Sequence, residues 1–273
     1  PYELFYGLGT GGFETWMMAL AAEPDYVNSL CGKLVDVWLE NLKRFSQAVG
    51  RHVQILQFND DFGTQDAPFI SPKMFRELIM PHYKRGLDWV HANTQMKVFL
   101  HSDGAIAPLM PSIIEMGVDI LNPIQTSAKG MDAEKLKNEF GDRLVFWGGS
   151  LDCQKTLPFG TPDDVTEEVR EHVRVFAPGG GYVFASVHNI QANVPPENVI
   201  AMFDAVGYPY VLPHAYCVSA RTFSSGVSRG ISQPAPTMNR APAWRWHSRM
   251  SAVTDSGVPL RTDRTGSMFP NST

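Results

Sequence analysis

The sequence predicts an α/β fold, a (β/α)8 TIM barrel in incomplete form, with about six strands present and the first two strand–helix units missing. Three observations carry this expectation. Short apolar strands alternate with helical stretches from Pro1 to about Ala205, the pattern of a parallel sheet covered by helices. Polar clusters recur at the C-terminal ends of these strands, where a parallel barrel keeps its chemistry. Six strands fall two short of closure, and Pro1 already stands in what reads as a strand.

Taken in order, Glu3-Leu4-Phe5-Tyr6 is the first strand candidate, and Gly7-Leu8-Gly9-Thr10-Gly11-Gly12 follows it. The glycines fit G-x-G-x-x-G, but no second strand arrives where a dinucleotide fold needs its acidic residue, so the run reads as a strand-to-helix turn. A short helix spans Glu14 to Ala22, with Met17 and Met18 read as core. From about Asp25 to Val49, Leu30, Leu34, Trp38, Leu42, Phe45 and Val49 recur at helical steps, and Gly50 ends the run.

Val53–Phe58 is a strand ending in Asn59-Asp60-Asp61-Phe62-Gly63. Ser71-Pro72 supplies an N-cap and a first-turn proline to a helix that runs to about Asn93, with a kink expected at Pro81. Met96–His101 is the next strand. Ile106–Met116 is a helix stopped by Gly117, and Val118–Leu121 a strand ending in Asn122-Pro123-Ile124-Gln125. Asp132 caps a helix to Phe140. Leu144–Trp147 is a strand followed by Gly148-Gly149-Ser150-Leu151-Asp152-Cys153-Gln154. Thr161-Pro162 opens a helix to Phe176, Gly181–Val187 is the last strand, and Pro195-Pro196 starts the last helix. Residues 213–273 change character. They are rich in Ser, Pro, Thr and Arg, lack Lys and Glu, and read as a disordered or non-native tail after a domain over 1–212.

Composition narrows the function. The chain has 273 residues, 44% of them hydrophobic, enough for one sizeable core. A net charge of −5 without a basic stripe argues against nucleic acid. No apolar run approaches the ~18 residues of a membrane span, and no secretory leader is apparent. Cys31, Cys153 and Cys217 show no paired spacing, which suits reduced thiols and a cytoplasmic protein. Cys153 reads as a spectator thiol, and His52, His82, His91 and His172 as surface residues on or beside helices. Asp61-Phe62-Gly63 mimics a kinase triplet without its companion motifs.

The candidate site is the set of strand ends. His101 and Asp103, two apart on an extended segment, face one space, and Gly104 lets the chain turn into the next helix. Asp60 and Asp61, Asn122 and Gln125, Asp152 and Gln154, and His188, Asn189 and Gln191 join them in phase. Asp61, His101 and His188 are the expected catalytic groups. Asp60, Asn122, Gln125, Asp152, Gln154, Asn189 and Gln191 are the expected substrate contacts. The alternative for Asp103 is that it caps the following helix, accepting from the amide of Ile106 or its neighbour.

At these residues the chain resembles the uroporphyrinogen decarboxylase superfamily of (β/α)8 barrels. The resemblance rests on Phe99-Leu100-His101-Ser102-Asp103-Gly104, on Trp147 through Asp152, and on His188 through Pro196-Glu197-Asn198-Val199, and covers about residues 1–206. It implies two alternative activities. One is zinc-dependent methyl transfer involving a corrinoid protein or a thiol. His101 stands at the histidine of the family's His-x-Cys pair, Asp103 at its cysteine, and His188 at the third ligand, so the implied metal set is His101, Asp103 and His188. Asp61 and Gln125 would orient substrate or ligands. The other is cofactor-free tetrapyrrole decarboxylation in porphyrin biosynthesis, with His188 positioning a substrate carboxylate. The acidic, amide-rich strand ends carry no arginine for a polycarboxylate, which favours methyl transfer. A third reading is an inactive, truncated barrel. A homo-oligomer is compatible with each.

Overall fold

The computed structural model describes residues 11–207. The strand candidate Glu3–Tyr6, most of the glycine run before Phe13, and the segment 213–273 lie outside the described residues. Two helices come first, α1 (Phe13–Ala22) and α2 (Pro24–Val49), followed by a 3-10 turn at Gly50–His52 and strand β1 (Ile55–Asn59). A short helix α3 (Pro72–Met74) widens into a π turn at Phe75–Ile79 and continues as α4 (Met80–Asn93). There follow β2 (Lys97–His101), a 3-10 turn at Ala107–Leu109, α5 (Met110–Met116), β3 (Ile120–Asn122), α6 (Ala133–Phe140) and β4 (Val145–Trp147). Then come α7 (Thr156–Phe159), α8 (Pro162–Phe176), β5 (Tyr182–Val183) and α9 (Pro196–Asp204).

The strands form one parallel sheet in the order β1-β2-β3-β4-β5. This is the wall of a (β/α)8 barrel over five strands, each of the expected strands from Val53 onward being present. Local chemistry explains the boundaries. Ser71 Oγ accepts from Met74 N–H (3.1 Å), Asp132 Oδ1 accepts from Lys135 N–H (2.8 Å), and Thr161 and Asp164 form a reciprocal capping box. Gly117 ends α5 in the left-handed region at φ 105°. Gly50 does not: its φ of −53° is right-handed, so α2 tightens into the 3-10 turn there. The kink expected at Pro81 is a π turn just before it, closed by Met80 N–H donating to Phe75 O.

The two sheet faces differ. Val98, Leu100, Leu121, Phe146 and Tyr182 turn toward the helices and are buried among Leu87, Val90, Ile113 and Phe176. Each such side chain contributes roughly 1.5–3 kcal/mol. The opposite face carries Phe99, His101, Ile120 and Asn122 by strand alternation. In register across it lie Asn59, His101 and Asn122. Trp147, next after the Leu121 partner Phe146, continues the row. A smaller core of Leu151, Leu157, Val165, Val169, Val194 and Met202 sits under α7, α8 and α9.

Two expectations about the helices are corrected. Met18 is not core: it is 64% exposed, because α1 buries Trp16 and Leu20 instead. His82 is not a free surface residue, since its Nε2 meets Asn28 Oδ1 at 3.0 Å and links α4 to α2. Burial, and then Arg85, lower its pKa. No described helix is long and apolar enough to cross a membrane.

Candidate functional site

The row Asn59–His101–Asn122 ends at the C-terminal edge of the sheet, and the loops after β1 and β2 fold over one another there. Backbone bonds stitch them together. Asp60 N–H donates to His101 O (3.0 Å) and Ser102 N–H to Asn122 O (2.7 Å). Buried Ser102, of opposite parity to its neighbours, accepts from Phe62 N–H through Oγ (3.0 Å). Gly104, at φ 90°, has its backbone against Gly63 and Thr64 and donates to Gln125 Oε1 (2.9 Å).

This frame brings Asp61, His101 and Asp103 together. One ligand atom from each lies within 4.8 Å of the others. Asp61 Oδ1 accepts from Asp103 N–H (2.9 Å). Asp103 Oδ2 lies 3.3 Å from His101 Nε2 and 3.7 Å from His188 Nε2. The amides the capping alternative for Asp103 would use are engaged elsewhere: Ile106 N–H donates to Gly104 O (3.0 Å) and its neighbour Ala105 N–H to Thr64 O (2.7 Å). The other nitrogen of His101, Nδ1, is 2.7 Å from Asn122 Oδ1, and Asn122 Nδ2 donates to Trp147 O (2.8 Å).

His101 is raised to a pKa of about 9. The hydrogen bond to Asp103 is the largest cause. Burial opposes it, and Asn122 and the Asp61 charge add to it. The folded value lies above the ordinary 6.5. The stabilisation is therefore complete below pH 6.5 and is lost as pH rises through about 9. Asp103→Asn is expected to move the His101 titration down toward 6.5 and to flatten that loss of stability. Proton NMR of the imidazole and denaturation midpoints below pH 6.5 and above pH 9 check it, and an unmoved titration refutes the assigned cause.

Of the expected metal set, His101 and Asp103 lie in this close group. His188 is not in the mutually close group: its ring centroid is 6.4 Å from that of His101, and its side chain is 49% exposed at the rim. Asp61 stands in the group instead, because the loop after β1 folds directly over β2.

Several expected substrate contacts are placed elsewhere. Asp60 is fully buried and accepts from Tyr83 Oη of α4, so it faces the helix layer. Gln125 is buried, with Oε1 on Gly104 N–H. Asp152 accepts from the amides of Gln154 and Lys155. It lines a separate cavity of about 280 Å³ with Glu168, Glu171 and His172. Gln154 is exposed on that loop. Asn189 and Gln191 are exposed, and Gln191 Nε2 donates to Asn189 O (2.8 Å).

Sequence reasoning missed Phe99, Trp147 and Asn59. Phe99 and Trp147 meet edge to face at 5.3 Å beside His101, and the parity of His101 along β2 was the signal that could have found them. Cys153 is half-buried, and burial raises its thiol pKa, partly offset by the backbone of His188 and Val187. That suits an inert thiol.

The family profile described as "Uroporphyrinogen decarboxylase (URO-D)" matches residues 1–208. The uroporphyrinogen decarboxylase of Psychromonas ingrahamii is 25% identical over 187 residues, covering 67% of this chain and 49% of that protein. That of Pseudoalteromonas atlantica is 30% identical over 188 residues, covering 68% and 49%. The chain thus spans about half the length of these relatives. Among solved structures, a methyltransferase from Methanosarcina mazei aligns with a TM-score of 0.46 at 19% identity, over 77% of this chain and 53% of that one.

Proposed function

The chain belongs to the uroporphyrinogen decarboxylase family, and from that premise we propose that it provides the metal-binding part of a zinc-dependent methyltransferase barrel. The observation that carries this reading is the convergence of Asp61, His101 and Asp103 at adjacent strand ends. The donor set fits the ion. One imidazole and two carboxylates are accepted zinc ligands, and three protein ligands leave a fourth position open. The set is harder than a thiolate site, but its charge matches a dication. Bound zinc would supply Lewis acidity that lowers the pKa of a thiol or water.

The chain's own groups do the rest. Asp61 holds the loop after β2 through the Asp103 amide, and so fixes both carboxylates. His188, half exposed at the rim with Nε2 3.7 Å from Asp103 Oδ2, adds a second imidazole facing that carboxylate. The Phe99–Trp147 pair forms an apolar wall on the same sheet face as His101. A thiol or a corrinoid-bound methyl carrier is the partner this reading calls for. The unpaired Cys31 and Cys153 are compatible with a reducing, cytoplasmic setting.

The test is a zinc titration of the apo protein in competition with a chromophoric chelator. Saturation at one zinc per chain supports the reading, and absence of retained zinc sinks it. A second reading, tetrapyrrole decarboxylation, is favoured by the names of the curated relatives, at 25–30% identity for the Psychromonas and Pseudoalteromonas proteins. Turnover of uroporphyrinogen by a longer chain bearing these residues, undiminished by chelator, would favour it over the first.

A further inference from the structure

We infer that Asn122 is a positioning residue that dictates which ring nitrogen of His101 carries a hydrogen, so that neutral His101 presents the bare Nε2 to Asp61 and Asp103. The consequence for zinc rests on the function proposed above. The assignment of the hydrogen does not.

One group in this row has no choice of role. The Trp147 carbonyl oxygen can only accept a hydrogen bond. The Asn122 atom 2.8 Å from it must therefore be the donating Nδ2. This settles the rotation of the amide, and the other end, Oδ1, faces His101 Nδ1 at 2.7 Å. An amide oxygen has no hydrogen to give. The ring is flanked by two acceptors, Asn122 Oδ1 at 2.7 Å from Nδ1 and Asp103 Oδ2 at 3.3 Å from Nε2, and the shorter contact assigns the single hydrogen of the neutral ring to Nδ1, which keeps the lone pair on Nε2. Nε2 is the nitrogen 3.3 Å from Asp103 Oδ2, on the side of the cluster.

The chain of command thus runs from the backbone of β4 through β3 to the histidine on β2. Its origin is part of the sheet itself, for Gly148, the residue after Trp147, donates to Val183 O of β5 (3.0 Å). The spacing comes from register. Asn122 pairs with His101 in β2–β3, and Leu121 with Phe146 in β3–β4, so Asn122 stands between His101 and Trp147 in one row. The sequence pattern makes Asn122 a substrate contact. Both ends of its amide are instead engaged with the protein, which is the arrangement of a ligand-orienting partner.

The experiment records long-range proton–nitrogen spectra of 15N-labelled apo protein at a pH where His101 is neutral, its signal identified by its absence in His101→Gln. The wild type is expected to show hydrogen on Nδ1. Asn122→Leu, which removes both bonds at similar volume, is expected to shift the population toward hydrogen on Nε2. It should also lower zinc affinity about 10–100-fold, the range for lost outer-sphere partners. Asn122→Asp keeps an acceptor for Nδ1 and is expected to recover the Nδ1–H form and most of the affinity. A loss of helical structure alone would not move the tautomer back in the Asp variant.

Hydrogen on Nε2 in the wild type overturns the inference, whether or not the Leu variant folds. So does a Leu variant with an unchanged tautomer. A wild type with hydrogen on Nδ1 that retains no zinc supports the inference and removes the zinc reading, so the two fail separately.

Discussion

Gly104→Ala is expected to destabilise the protein by roughly 2–5 kcal/mol, an effect assembled from two separate costs. Gly104 sits at φ 90°, where an L side chain costs roughly 1–2 kcal/mol. A Cβ there would also meet the carbonyl carbon and oxygen of Gly63 and the oxygen of Thr64, each at 2.6 Å. All three are backbone atoms and cannot rotate away, so the loops after β1 and β2 must part, at a further ~1–3 kcal/mol. The parting would weaken the bonds from Ala105 N–H to Thr64 O and from Gly104 N–H to Gln125 Oε1. It would also displace Asp61 from Asp103. Gly130→Ala is the matched control. Its φ is 78°, yet nothing lies within 4 Å of the added carbon, so it should show the conformational cost alone. Urea midpoints compare the two, and equal losses would contradict the packing argument.

His101→Ala is expected to reduce zinc affinity by at least ~100-fold. Losing an outer-sphere partner costs about 10–100-fold, and a removed ligand should exceed the upper end of that range. The histidine supplies the one nitrogen of the close group. His188→Ala should cost less, because His188 reaches the cluster only through Asp103. His91→Ala is the control. That imidazole bonds Asp119 Oδ2 (2.9 Å), which also accepts from Val98 N–H at the start of β2, the opposite end of the strand from His101. Competition titrations rank the four proteins. Equal affinity in His101→Ala and His91→Ala would remove His101 from the proposed metal site. A larger loss in His188→Ala than in His101→Ala would restore His188 as a direct ligand.

The order of strands and helices was legible because its signals are local. Ser71-Pro72, Asp132 and Thr161-Pro162 each name a helix start through a hydrogen bond closed within three residues. His101 and Asp103 were legible for the same reason: extended backbone sets residues two apart on one side. The strand ends beyond them were not. Asp60 and Asp61 are adjacent carboxylates, and only the packing of α4 against β1 decides that Tyr83 takes the first while the second accepts from the Asp103 amide. Asp152 reads as a member of the same site in sequence, but its Oδ1 accepts from the amides of its own loop and it lines a separate cavity. His188 does lie at the rim, yet its distance from His101 depends on the path of the loop after β5, for which sequence carries no period. The structural bonds of Gln125 and Ser102 join segments tens of residues apart and leave no local mark.

The π turn at Phe75–Ile79 bears on how insertions are read in this chain. Leu78, Ile79 and Met80 are all buried in succession. At about 100° per residue, three neighbours sweep more of a helix than one face covers. A widened turn holds one more residue than an α-turn without starting a new turn, so α4 is rotated relative to the continuation of an uninterrupted helix. That rotation points Tyr83 at Asp60 and seats Gly86 against the Trp38 ring. Removing a single residue from Phe75–Ile79 would leave the helix continuous and every loop unchanged in length. It would nonetheless swing Tyr83 off the buried carboxylate behind the site. The gap that aligns this segment with a relative lacking the wide turn belongs inside the helix, and its meaning is angular rather than linear.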